Sequence, residues 1–85
     1  MITVFLPEQL KKMVGTTTLK VDGVSTVLEL IDKLDSMCNG IKARTSNSNF
    51  VLFFVNGEDI RFLQDKQTAL KSGDEVSIVP AIAGG

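Results

Sequence analysis

The residues whose types and order could do chemistry lie at the end of this 85-residue chain, where Gly84 and Gly85 close a short segment of small residues. Glycine has no Cβ and adopts extended conformations freely, so such a segment could enter a narrow channel in another protein. Only the carboxylate of Gly85 would then reach the reacting groups. ATP could adenylate this carboxylate, and a sulfur nucleophile that displaces AMP would leave a thiocarboxylate.

Two terminal glycines are a modest signal by themselves, because average glycine usage of about 7% produces this ending in roughly one chain in 200. Chain ends are also commonly frayed and without function. Here the pair follows Pro80, which we expect to stop the last strand, and the intervening Ala81 and Ala83 are small as well. This context favours a functional tail over an idle terminus.

The composition argues against a self-contained enzyme. The chain has no histidine, which is the commonest general base and metal ligand, and no glycine-rich phosphate loop. Its single cysteine, Cys38, cannot form a zinc or redox pair. We therefore expect no enzymatic activity, no cofactor and no metal in this chain, and the tail chemistry would depend on a partner enzyme.

Charge and hydropathy limit the partners and the cellular setting. The net charge is −1 and the signs are mixed, so no basic stripe predicts nucleic-acid binding. No apolar run approaches the roughly 18 residues that can span a bilayer. One unpaired cysteine favours a reducing compartment. We expect a cytoplasmic protein that binds neither nucleic acid nor a membrane.

One helix is predicted with a clear start and a clear apolar face. Thr26 and Glu29 have the spacing of a capping box, which satisfies free amide groups at a helix start. The apolar side chains that follow recur at helical spacing on one face: Val27, Leu30, Ile31, Leu34 and Cys38. Asn39 and Gly40 then predict a left-handed end. We expect Cys38 to be a small hydrophobic residue and not a reactive thiol.

Alternating and β-branched residues predict strands over residues 1–6, 17–22, 50–55, 58–62 and 75–79. Residues 8–16 and 41–49 are predicted to be connections. Residues 63–71 are predicted to be a loop with a helical turn, in which Leu70 returns to the core. This order predicts an α+β fold, with the main helix packed on one face of a mixed sheet whose first two strands form a hairpin. We expect one domain over residues 1–80 and a flexible tail over residues 81–85.

Two stretches of the sequence resemble the ubiquitin-like β-grasp sulfur carriers. The first is Val-Asn-Gly-Glu-Asp-Ile-Arg-Phe over residues 55–62, and the second is Ser-Gly-Asp-Glu-Val-Ser-Ile-Val-Pro-Ala-Ile-Ala-Gly-Gly over residues 72–85. The family includes the thiamin sulfur carrier, the molybdopterin synthase small subunit and the cysteine-biosynthesis carrier. The resemblance covers the whole chain and is greatest to the cysteine branch. Molybdopterin synthase small subunits more often carry two prolines before the tail, where this chain has Ala81.

The resemblance implies a β-grasp fold with an extended C-terminal tail, in which Gly85 bears the thiocarboxylate next to Gly84. It implies an E1-like ATP-dependent enzyme that adenylates the tail. In the cysteine branch a pyridoxal-phosphate cysteine synthase accepts the sulfur, and a metalloprotease trims the product.

Strand alternation predicts an apolar patch on the side of the sheet that faces away from the helix. If Phe53 faces the core, then Leu52 and Phe54 face outward, although a shift of one residue would exchange the two faces. Exposed apolar patches often mark partner surfaces. We predict that the partner contacts seven residues, one of them a charged residue at the rim and two of them in the tail: Phe5, Leu52, Phe54, Arg61, Val79, Ile82 and Ala83.

Three other functions fit the same sequence. The chain could be a protein modifier that is joined through Gly85 to lysines of its targets, because the activation chemistry is the same. It could be the small subunit of molybdopterin synthase and thus a component of an enzyme. It could also be an interaction domain with an idle tail, and in that case deletion of Gly84 and Gly85 would leave its function intact.

Overall fold

The computed structural model describes residues 1–45 and 51–80. The predicted tail, with Ile82, Ala83, Gly84 and Gly85, lies outside the described residues. In chain order the elements are β1 (Ile2–Phe5), α1 (Glu8–Val14), β2 (Thr18–Val21), α2 (Val27–Met37), α3 (Ile41–Thr45), β3 (Val51–Val55), β4 (Glu58–Asp59), a first 3-10 helix (Ile60–Phe62), a second 3-10 helix (Asp65–Gln67) and β5 (Glu75–Pro80).

The five strands form one mixed sheet in the order β2-β1-β5-β3-β4. The hairpin predicted for the first two strands is present, because β1 pairs antiparallel with β2. β1 also pairs in parallel with β5, and β3 pairs antiparallel with both β5 and β4. The last strand therefore lies in the middle of the sheet, with hydrogen-bonded neighbours on both sides.

The capping box at the start of α2 is confirmed. The amide of Glu29 donates to Oγ1 of Thr26 at 3.2 Å, and the amide of Ser25 donates to Oε1 of Glu29 at 2.7 Å. The first bond satisfies an amide that the helix start leaves without a partner, and the second ties the Glu29 side chain back to the residue before the N-cap. Four of the five residues predicted for the apolar face are buried: Val27, Leu30, Ile31 and Leu34. The fifth, Cys38, follows the end of the helix and is half-buried, because the helix ends one residue before it.

The core lies between α2 and one face of the sheet. The strands contribute every second residue to it, among them Val4 on β1, Phe53 on β3 and Val76 on β5. Leu70 is 6% exposed and packs into the same core, as the sequence predicts. Burial of side chains of this size stabilises a fold by roughly 1.5–3 kcal/mol each, so this layer dominates the stability of the domain.

Two short helices replace segments that were predicted to be connections. The first, α1, lies between Pro7 and Gly15, and the left-handed Gly15 (φ 93°) ends it by donating its amide to the carbonyl of Lys11 at 2.6 Å. The second, α3, begins where the carboxylate of Asp35 accepts hydrogen bonds from the amides of Gly40 and Lys42. Each short helix buries few apolar residues, so neither produces a visible period in the sequence.

Three boundaries also differ from the prediction. The strand predicted over residues 58–62 ends at Asp59, because the chain turns there into the first 3-10 helix. The α2 helix ends at Met37, and the left-handed Gly40 lies in the turn before α3 and not at the helix end itself. Pro80 is the last residue of β5 and lies opposite Val51. Proline has no amide hydrogen, so at a strand end it costs the ladder one hydrogen-bond donor and leaves the rest of the strand paired.

Among residues 1–45 and 51–80, no helix combines the length and the apolar character that crossing a bilayer requires.

Candidate partner-binding face

The root of the tail is held inside the sheet. Pro80, the last described residue before the tail, lies opposite Val51, and Val79 lies opposite Leu52. Because directly opposite residues of an antiparallel pair project to the same side, Val79 and Leu52 form a side-chain pair on one face. Both are half-buried, whereas the neighbouring Ile78 is 1% exposed in the core. The pair therefore lies on the face that is turned away from α2.

A second row of side chains crosses the same face. Phe5 on β1 is paired with Ser77 on β5, and Ser77 is paired with Phe54 on β3. Phe5 is 38% exposed, while Ser77 and Phe54 are half-buried. The two rows together define a surface that we call the open face: Phe5, Leu52, Phe54, Ser77 and Val79.

The structure confirms the outward orientation that alternation predicts for Phe5, Leu52, Phe54 and Val79. It also adds Ser77, which the sequence prediction did not select because it is polar. The serine lies between the two phenylalanines and separates them by one strand. That position depends on the pairing of three strands that are distant in the sequence, so no local pattern could reveal it. The role of this surface in partner binding remains a prediction.

Arg61 is fixed at the edge of the open face by Asp59. The guanidinium reaches both carboxylate oxygens: Nε donates to Oδ1 at 3.2 Å and to Oδ2 at 3.0 Å, and Nη2 donates to Oδ2 at 2.7 Å. The backbone amide of Arg61 donates to Oδ1 at 2.9 Å. Asp59 itself lies on β4 directly opposite Phe54, which places the ion pair next to the phenylalanine. Such a forked contact orients the guanidinium as well as attracting it.

The ion pair is asymmetric in its exposure and shifts both pKa values. The side chain of Asp59 is 9% exposed, and that of Arg61 is 52% exposed. Hydrogen bonds from the Arg61 side chain, and then from its backbone amide, hold the pKa of Asp59 below its usual range. The same side-chain bond raises the pKa of Arg61. Both groups are therefore charged at neutral pH, and the exposed part of the guanidinium remains available to a partner.

The sequence prediction selected Arg61 but missed the residue that holds it. An aspartate whose side chain accepts the amide two residues later is a common way to begin a turn. Asp59 precedes the first 3-10 helix in this way and accepts the amide of Arg61. The Asp-x-Arg spacing after the Asn-Gly turn was the available signal.

A small cleft lies between β3 and the 3-10 helices. It has a volume of about 40 Å³ and is lined by residues that include Val51, Leu52, Arg61 and Lys66. Sites for cofactors and other small molecules usually occupy about 300–1,000 Å³, so this cleft is far too small for one. In the described part of the chain, no three acidic, cysteine or histidine side chains converge on a position for a metal.

A helix across one face of a five-stranded mixed sheet, with β1 and β5 parallel at its centre, defines the ubiquitin-like β-grasp fold. Residues 4–85 match the model of the ThiS family, and the chain belongs to that family.

Full-length relatives agree with this assignment. The sulfur carrier protein CysO of Mycobacterium tuberculosis is 33% identical, over 99% of this chain and 98% of that protein. A chain in the crystal structure of the Amycolatopsis orientalis BexX/CysO complex superposes with a TM-score of 0.90 at 38% identity, over 100% of both chains. The small archaeal modifier protein 1 of Methanosarcina acetivorans gives a TM-score of 0.83 at 25% identity, over 99% of this chain and 95% of that one. These relatives support a sulfur carrier role for this chain.

Proposed function

We propose that this protein carries sulfur as a thiocarboxylate on Gly85 and donates it in the biosynthesis of cysteine. The observation that supports this proposal most directly is the position of the tail root. Pro80 ends the central strand of the sheet, and the apolar open face begins at the next residue pair, Val79 and Leu52. A partner that binds the open face is therefore placed beside the segment that leads to Gly84 and Gly85.

The proposed chemistry uses only the terminal acyl group of the chain. A carboxylate oxygen of Gly85 attacks the α-phosphorus of ATP, and pyrophosphate leaves. A sulfide-equivalent nucleophile then attacks the acyl carbon of the adenylate, and AMP leaves with the bonding electrons and the oxygen. The product is the thiocarboxylate. An E1-like enzyme supplies the nucleotide site, so the chain acts as the substrate of that enzyme and not as an enzyme.

The open face is the proposed docking surface for the E1-like enzyme. Its side chains offer apolar area at the centre, which is where binding energy concentrates in interfaces, and Arg61 offers a charge at the rim. The tail residues Ile82 and Ala83 would contact the entrance of the enzyme's channel. The presence of a CysO chain in complex with BexX supports a protein partner for this fold.

The later partners are proposed from the same family relationship. A pyridoxal-phosphate cysteine synthase would accept the sulfur, and a metalloprotease would trim the product to regenerate the Gly85 end. The full-length similarity to the sulfur carrier protein CysO supports this branch. We place these reactions in the cytoplasm, where an unpaired cysteine such as Cys38 stays reduced.

Intact-mass measurement tests the proposal. The chain is incubated with its activating enzyme, ATP and a sulfur source, and we expect a mass increase that equals the replacement of one oxygen by sulfur. Deletion of Gly84 and Gly85 should abolish the increase. An unchanged mass, while a known carrier is loaded by its own enzyme under the same conditions, would contradict the proposal.

A protein modifier is the second candidate, and the similarity to the small archaeal modifier protein 1 favours it. Both functions begin with the same adenylate, and they differ in the nucleophile that attacks the acyl carbon of Gly85. A lysine amine would give an isopeptide bond in place of a thiocarboxylate. Gly-Gly remnants on lysines of other proteins after proteolysis would identify this function. The third candidate, a molybdopterin synthase small subunit, would instead form a tight complex with a larger subunit.

A further inference from the structure

One surface of the molecule is not used by the proposed function. Phe62, at the end of the first 3-10 helix, is 82% exposed, and the adjacent Leu63 is 39% exposed. Phe62 is the most exposed large apolar residue of the described chain. Exposed apolar side chains in a cluster are unusual in a soluble monomer, and they commonly mark an interaction surface.

Next to this helix lies an open groove of about 540 Å³. Leu63 and Ala69 contribute apolar surface to it. Its charged lining residues are Glu58, Lys71 and Asp74. Neither Glu58 nor Lys71 forms an ion pair within residues 1–45 and 51–80. The charge of Lys71 also acts on the nearby carboxylate of Asp74. The surface therefore combines a projecting apolar side chain, an apolar depression and charges of both signs.

We propose that this surface binds a second copy of the same chain, with Phe62 of each copy inserted into the groove of the other. A two-fold interface uses the same patch on both copies, so the patch must complement itself. Phe62 complements the groove, and Glu58 of one copy complements Lys71 of the other. A surface for an unrelated protein has no need to carry both members of each pair.

The position of the groove leaves the tail free in such a dimer. Val55 lines the groove at one end of β3, while Val51 at the other end lies opposite Pro80. Strands rise about 3.3 Å per residue, so the groove and the tail root are separated by about 13 Å along β3. A dimer formed through Phe62 can therefore leave the two tails, one from each copy, at a distance from the interface.

The small size of the patch sets the expected affinity. Interfaces that bury less than about 1,200 Å² are weak and transient, so we expect a dissociation constant on the order of 0.1–1 mM. Sedimentation equilibrium of the intact chain, from about 10 µM to about 1 mM, should show reversible dimerisation across this range. A chain that stays monomeric throughout would overturn the proposal.

Matched phenylalanine variants locate the interface. Phe62→Asp should raise the dimer dissociation constant by at least about tenfold, because it places a carboxylate in an apolar contact. Phe5→Asp introduces the same change on the open face and should leave the constant within about twofold of the native value. If Phe5→Asp weakens the dimer and Phe62→Asp does not, the copies associate through the open face and the proposal is wrong.

Charge reversal provides an independent test of the two-fold geometry. Glu58→Lys alone and Lys71→Glu alone should each weaken the dimer by about threefold to tenfold, because each creates like-charged pairs across the interface. The double variant restores opposite charges at both positions and should return to within about twofold of the native constant. If the loss of dimerisation free energy in the double variant equals the sum of the two single losses, the two residues do not face each other.

Discussion

Val79 on β5 lies directly opposite Leu52 on β3, one position before the last described residue, Pro80. Both side chains face away from α2 and are half-buried, so they form the part of the open face closest to the tail. A partner that holds the tail in its active site must come close to this pair. Binding of the open face and placement of Gly85 are therefore coupled through two adjacent positions of one strand.

Leu52→Asp should lower kcat/KM for adenylation by at least about tenfold, because a charge buried in an apolar interface has no partner there. Leu52 is half-buried, so the free energy of unfolding should fall by only about 1 kcal/mol. The measurement is the rate of pyrophosphate release by the activating enzyme. Met37→Asp is the control, because Met37 is 51% exposed on α2 and lies away from the open face. Equal losses in both variants would contradict a role for the open face.

Arg61→Ala should raise the KM for the carrier while kcat stays unchanged, because the guanidinium would contribute to binding and not to the reaction. Asp59→Asn should have a similar effect, since it weakens the fork that orients Arg61. The double variant should be no worse than Arg61→Ala alone, which a double-mutant cycle would measure as coupling. Lys42→Ala breaks an exposed 2.7 Å ion pair with Asp32 and serves as the control. Strictly additive losses would show that the two residues act separately.

Asp74→Asn should reduce stability at neutral pH and have less effect in acid. The carboxylate of Asp74 accepts hydrogen bonds from the amide of Lys71 at 2.8 Å and from Asn56 at 3.1 Å, and these bonds lower its pKa below the usual 3.8. A carboxylate whose pKa is lower in the folded state stabilises the fold when the pH is above its pKa in the unfolded chain. This stabilisation is lost as the pH falls through the pKa of the folded state.

Urea unfolding of both proteins at pH 7 and below about pH 3 measures this difference. The free energies of unfolding should differ at pH 7 and converge in acid. A difference that is the same at both pH values would show that Asp74 contributes through packing or neutral hydrogen bonding alone.

Thr26→Ala should lower the free energy of unfolding by about 1 kcal/mol, because the amide of Glu29 loses its acceptor at the start of α2. Thr26→Ser keeps a hydroxyl at the same position and should retain most of the stability. Urea denaturation followed by circular dichroism measures both variants. Similar losses in the alanine and serine variants would mean that the methyl group of Thr26, and not its cap, is responsible.

The parts of the fold that local patterns determine were predictable. The α2 helix has a capping box, a four-residue apolar face and eleven residues, so its period is visible in the sequence. The α1 helix has seven residues and buries only Leu10, so its sequence resembles a connection. The α3 helix depends on Asp35, which lies six residues before its first residue, Ile41. The α1 helix was therefore missed because it is too short to show a period, and α3 because its start depends on a side chain outside it.

The candidate site divides in the same way. Alternation along each strand was sufficient to place Leu52, Phe54 and Val79 on the open face. The row that joins Phe5 to Phe54 through Ser77 depends on which strands are neighbours and in which register. That information comes from pairings between residues more than 20 positions apart, and it has no signature in any single strand.

The central position of β5 has a mechanical consequence. A partner that pulls on the chain beyond Pro80 loads β5 along its own axis, and this strand is bonded to β1 on one side and to β3 on the other. Because such a pull runs along the strand, it loads the hydrogen bonds to both neighbours in shear. We therefore expect tension on the C-terminal end to be borne by the hydrogen bonds to both neighbouring strands.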